Sequence, residues 1–155
     1  MNMQNRQNRA GGSGGRRPPA QGQQSRADDE ILRVKEQVPA LMNPGQDIDG
    51  RILISQADVL GEYLARRSRM TTAQIRRIFT GVRKINSSNE EWAYELNLFK
   101  AQLAYVAGRF PNEVRPLQEV LDLAIEQVKG EPQRLHRFID FFEAIVAYHK
   151  RYGGK

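Results

Sequence analysis

Seven cationic side chains stand between Tyr63 and Asn89: Arg66, Arg67, Arg69, Arg76, Arg77, Arg83 and Lys84. These 27 residues contain no Asp or Glu. The bias toward arginine matters, because the planar guanidinium fork matches the oxygens of a phosphate. Projected at about 100° per residue from Ile75, the positions Arg76, Arg77, Arg83 and Lys84 fall between about 80° and 200°. Ile75, Ile78, Phe79, Val82 and Ile85 fall on the opposite arc, between about 280° and 40°. A helix patterned this way buries one side and turns a row of cations to water. Like charges that close repel, and a helix in need of solubility alone would intersperse Glu with Lys. The acid-free row therefore points to an anionic partner. The alternative is a solvated face whose cations pair with acids on other helices.

Other residue types suggest chemistry less strongly. His136, Asp140 and Glu143 have helical spacing and could share a face. A nuclease would need paired carboxylates on a metal, or His with Lys. Such spacing arises by chance in most amphipathic helices, so no catalytic residue is assigned. Glu143 fits better as an ion-pair partner of Lys100 or Arg109. Asp47 and Asp49 in DIDG hint at a calcium loop, but the RILISQAD that follows lacks the oxygen ligands such a loop needs. With no cysteine there are no disulfides and no thiolate sites, and the two histidines, His136 and His149, would need carboxylate help to hold a metal. The expectation is no metal, no cofactor and no small-molecule substrate.

These residues must be positioned by a small chain of 155 residues with 39% hydrophobic content, enough for one modest core. The net charge of +6 is unevenly spread. Residues 1–26 carry five arginines and no acid; residues 27–50 carry two cations against six acids; residues 51–155 carry seventeen Lys/Arg against twelve Asp/Glu. The composition predicts a disordered Arg/Gly/Gln-rich tail over 1–27, either inert or a weak arginine-rich RNA tether. An acidic transitional segment follows over 28–50, with a short helix from Asp28 to Val38 ending before Pro39. A helical-bundle domain spans 51–155. No stretch is apolar enough for a membrane span or a signal peptide, which reads as a cytoplasmic protein.

Within 51–155 the apolar period is helical and no strand pattern competes. Helices are expected over about Ser55–Arg69, then from a Thr71–Gln74 capping box to Asn86, Glu90–Arg109, Pro111–Lys129 and Pro132–Tyr152. The fold class is all-α: a compact bundle of about five helices. Leu135, Phe138, Ile139, Phe142, Ile145 and Val146 make one apolar stripe of the last helix, and Phe141, Tyr148 and Tyr152 a second. Aromatics throughout follow core spacing, which argues for backbone binding rather than base stacking.

Three segments, MTTAQIRRIF (70–79), KAQLAYVAGR (100–109) and FIDFFEAIVAYHK (138–150), taken in this order and spacing, resemble the small helical subunit of the type III-A CRISPR–Cas Csm effector complex. The resemblance covers roughly residues 55–152. It implies a non-catalytic helical bundle whose copies stack as a filament in antiviral defence. It further implies contacts to the backbone of guide RNA and target RNA, and to the repeated backbone subunit of the complex. Inside the matching segments it assigns RNA contact to Arg76, Lys100, Arg109 and Lys150. Thr72 and Gln74 join them, at a helix N-terminus that could attract phosphate. The tail and the acidic segment lie outside the family pattern. A second reading from the same sequence is a helix-turn-helix DNA-binding regulator, with Ser68–Arg69–Met70 as the turn; Gln74 alone then offers a base-reading side chain.

Overall fold

In the computed structural model, which describes residues 21–155, the apolar stripes close on one another as six helices. They are α1 (Gln21–Leu41), α2 (Arg51–Arg66), α3 (Thr72–Arg83), α4 (Trp92–Arg109), α5 (Pro111–Glu126) and α6 (Pro132–Arg151). The fold is all-α, as the period requires. Residues 1–20, where most of the tail reading falls, lie outside the described residues. Among the described residues no helix is long and apolar enough to cross a membrane.

The elements end where local chemistry stops them. Pro111 and Pro132 open α5 and α6, where a missing N–H costs nothing. Thr71 and Gln74 form the expected capping box of α3, Gln74 N donating to Thr71 Oγ1 at 3.1 Å and Thr71 N to Gln74 Oε1 at 2.9 Å. Gly50 turns into α2 at φ 74°. Several boundaries differ from the sequence reading by a few residues: α2 starts and ends earlier, α3 stops at Arg83, α5 at Glu126 and α4 starts at Trp92.

The larger difference is α1, which begins before Asp28 and runs through Pro39 to Leu41. Pro in a helix costs about 3 kcal/mol through its missing bond and ring clash. Past it lie Leu41 and Met42, both fully buried, and each such side chain returns about 1.5–3 kcal/mol. Burial therefore wins. Ala27, Ile31, Val34, Val38 and Leu41 repeat at alternating steps of four and three, so the stripe of α1 joins the core with Leu60, Leu64, Leu117 and Leu121. Lys35 Nζ bonds Glu119 Oε2 at 2.5 Å and fastens α1 to α5.

At the centre sits α6, which packs on α2, α3 and α5. Phe138, Phe141, Phe142 and Ile145 are fully buried. Edge-on aromatic pairs link Phe142 to Phe79 of α3 (5.2 Å) and Phe138 to Phe99 of α4 (6.4 Å). Phe141 is thus core, and Tyr152 donates to Asp58 Oδ1 at 2.6 Å, tying α6 to α2. The two helices approach closely at Gly61, where a Cβ would lie 2.6 Å from Tyr148 Cβ and 2.8 Å from the His149 nitrogen.

Candidate nucleic-acid interface

The face that α3 presents to solvent follows from its packing. Ile75, Ile78 and Val82 are buried against α4 and α6, so Arg76, Arg77 and Arg83 project outward. Lys84 follows as the C-cap, also exposed. Arg67 and Arg69 extend the row across the α2–α3 turn, where Arg69 takes a left-handed φ of 57°. All seven cations of the Tyr63–Asn89 stretch are exposed. Among the described residues only Arg66 of this group has an acid partner: its Nη1 lies 2.6 Å from Glu62 Oε1, with the guanidinium carbon 4.9 Å from the Tyr152 ring centre. Arg83 rests over Phe79 at 5.7 Å. Glu30 of α1 shares a cleft with Arg66 and Arg67, but among the described residues no acid of another helix forms an ion pair with the row, and the pair of Arg66 lies within α2.

The other basic residues singled out in the sequence divide. Arg109 is exposed in the last turn of α4, 5.5 Å from the Phe110 ring centre, and shares a groove with Gln74 and Arg77. Lys150 is exposed in the last turn of α6. Lys100 turns toward α5, 3.4 Å from Glu126 Oε1, away from the arginine row. Burial raises the carboxyl of neighbouring Asp122 above its ordinary range, against the opposing pull of the Gln118 amide and the Lys100 ammonium. The expected pairing of Glu143 with Lys100 or Arg109 is corrected: Lys100 takes Glu126, and Glu143 is exposed with no ion pair among the described residues.

Most donors at the N-terminus of α3 are already committed within the chain. Thr72 N donates to the Lys155 carbonyl at 2.6 Å, Thr72 Oγ1 to the Gly154 carbonyl at 2.8 Å, and Gln74 N to Thr71. The chain after α6 thus covers the end of the helix that a helix-turn-helix protein would present to bases. His149 organises this closure. Its ring is fully buried, and Nε2 donates to the Met70 carbonyl at 2.6 Å. Burial lowers its pKa, so the ring is held neutral.

The acids with helical spacing do not form a centre. His136 and Asp140 are exposed, and His136 Nε2 lies 3.4 Å from Ser87 Oγ. Asp47 has a structural role: its carboxylate accepts from Ile52 N and Leu53 N, both at 2.9 Å, and from Arg137 Nη2 at 2.8 Å. It caps α2 and binds α6.

Sequence reasoning missed the aromatic surface of α4. Tyr94, Leu98 and Tyr105 are 64%, 45% and 67% exposed, opposite the buried stripe of Trp92, Leu96, Phe99 and Leu103. The expectation that aromatics follow core spacing is therefore corrected for these two tyrosines. Their spacing carried the signal, since on a 100° wheel they lie about 200° from Trp92.

The model of a family described as Csm2 Type III-A matches residues 47–155. A protein of Streptococcus thermophilus described as CRISPR system Cms protein Csm2 is 31% identical over 111 residues, which cover 67% of this chain and 86% of that protein. No solved structure matches the chain.

Proposed function

The chain belongs to the Csm2 family of type III-A CRISPR systems, and on that premise we propose that it is a non-catalytic subunit that coats RNA backbone. Its site is the arginine row of α3 and the turn before it: Arg67, Arg69, Arg76, Arg77, Arg83 and Lys84, with Arg109 beside them. In this reading the subunit works inside the effector complex, touching guide RNA and target RNA through phosphates rather than base edges. Copies of the chain stack along the repeated backbone subunit.

One observation carries the reading. Six exposed cations lie on consecutive elements, without an acid partner among the described residues. Keeping like charges together without counter-ions destabilises a free helix, and a polyanion offsets that repulsion. Arg66 belongs at the margin, because Glu62 neutralises it. Thr72 contributes little, since its donors are spent on Gly154 and Lys155. A duplex-DNA regulator is disfavoured by the same covered N-terminus of α3.

The test is charge reversal. Arg76, Arg77, Arg83 and Lys84 are replaced together by Glu, and binding to single-stranded RNA and duplex DNA is compared with the parent. Helical circular dichroism should stay unchanged while RNA binding falls steeply. RNA affinity equal to the parent's would sink the proposal, and a preference for duplex DNA would favour the regulator.

A further inference from the structure

A groove of about 480 Å³ opens between α3 and α4. Gln74 and Arg77 line its α3 side; Gln102, Tyr105 and Arg109 line its α4 side, with Phe110 just beyond. The buried rings and aliphatic chains of the core form its floor. Tyr105 and Phe110 are 67% and 38% exposed, so two aromatic faces meet solvent beside two arginines. Among the described residues no acid lines the groove.

The geometry points to this groove as the seat of an unstacked nucleobase of single-stranded RNA, with Tyr105 as the stacking surface and Arg77 and Arg109 holding the flanking phosphates. The inference rests on the RNA-coating reading and adds a subsite to it. Its chemistry is that of single-strand binders, which track the backbone with cations and stack bases on aromatic rings. Three features select this occupant. The lining is mostly apolar, as a base face requires. The rim carries positive charge only, which complements a ligand tethered by phosphate and gives no special welcome to an apolar peptide. Arg77 belongs both to the groove and to the arginine row, so a strand lying along the row passes the opening.

The full-length protein is titrated with a short labelled oligoadenylate and with an abasic ribose-phosphate strand of the same length. The parent should bind the base-bearing strand more tightly. Tyr105→Ala should weaken that strand about tenfold and leave the abasic strand unchanged, whereas Tyr105→Phe keeps the ring and the affinity. The high exposure of Tyr105 makes the Ala variant safe for folding, which a thermal melt verifies. 2-Aminopurine placed in the strand should be quenched by the parent and not by Tyr105→Ala. Equal binding of the two strands by the parent, insensitive to Tyr105→Ala, overturns the base subsite and leaves the phosphate row standing. That outcome would fit a groove for a protein segment. Failure of the parent to bind either strand overturns both readings.

Discussion

Asp47 and Arg137, ninety positions apart, meet as a buried ion pair, Arg137 Nη2 donating to Asp47 Oδ2 at 2.8 Å. The same guanidinium reaches the Leu41 carbonyl through Nε, so one arginine of α6 collects the end of α1 and the loop that starts α2. The Asp47 side chain is 1% exposed and the Arg137 side chain 15%. Removing either partner leaves the other largely shielded from water, although Arg137 keeps the Leu41 and Asp47 carbonyls.

Asp47→Ala should therefore lower stability by about 3–5 kcal/mol, because it strands a charge and leaves the Ile52 and Leu53 amides without acceptors. Urea melts of Asp47→Ala, Arg137→Met and the double variant would form a cycle. The double variant should lose clearly less than the sum of the two single losses. Strict additivity would show that the pair contributes no coupling.

His149 sets a pH dependence. Its pKa is lowered in the folded state by burial, so the unfolded chain takes up a proton more readily. Stability is fully present above the unfolded value near 6.5 and is lost as pH falls below it, by up to about 1.4 kcal/mol per pH unit until the folded value is reached. Thermal melts between about pH 7.5 and 5 should show this slope, and His149→Gln should flatten it. A melting temperature rising on acidification would contradict the assignment.

Gly61→Ala probes the crossing of α2 and α6. A methyl there meets Tyr148 Cβ at 2.6 Å and backbone at 2.8 Å, and backbone cannot step aside as a flexible side-chain tip can. Helix propensity favours Ala by up to about 1 kcal/mol, but overpacking costs about 1–3 kcal/mol, and contact with backbone this close puts the cost at about 2–3 kcal/mol, so the net effect should be a loss of about 1–2 kcal/mol. Unchanged or raised stability in a denaturant melt would mean the helices separate freely.

What the sequence reveals and hides follows from the range of each interaction. The helices from α2 to α6, the Thr71–Gln74 capping box, the prolines that open α5 and α6 and the outward face of α3 are set by period and by neighbours three or four residues away, and these were readable. The stripe Ile31, Val34, Val38, Leu41 was readable in principle, but its acidic neighbours and Pro39 masked it. Asp47 with Arg137, Lys100 with Glu126, and the Gly154–Lys155 closure over Thr72 join residues that only the tertiary fold brings together. No local pattern predicts them. For the candidate site, the arginine row was legible because it needs only one helix and the turn joined to it. The groove beside it was not, because it needs two.

The arginine row predicts a salt law. If about five of its cations contact single-strand phosphates, the logarithm of the RNA association constant should fall with the logarithm of salt at a slope near −3.5, about −0.7 for each contact. Arg77→Ala and Arg83→Ala should each make the slope shallower by about 0.7. Arg66→Ala should change it less, since Glu62 already holds that guanidinium. Lys100→Ala should leave the slope unchanged, since its ammonium faces Glu126 across the α4–α5 contact. Tyr105→Ala should also leave the slope unchanged while lowering the constant, because stacking releases no counter-ions. Anisotropy titrations over several salt concentrations separate these cases. A parent slope near zero, or equal effects of Arg77→Ala and Lys100→Ala, would refute the assignment of phosphate contact to the outward face of α3.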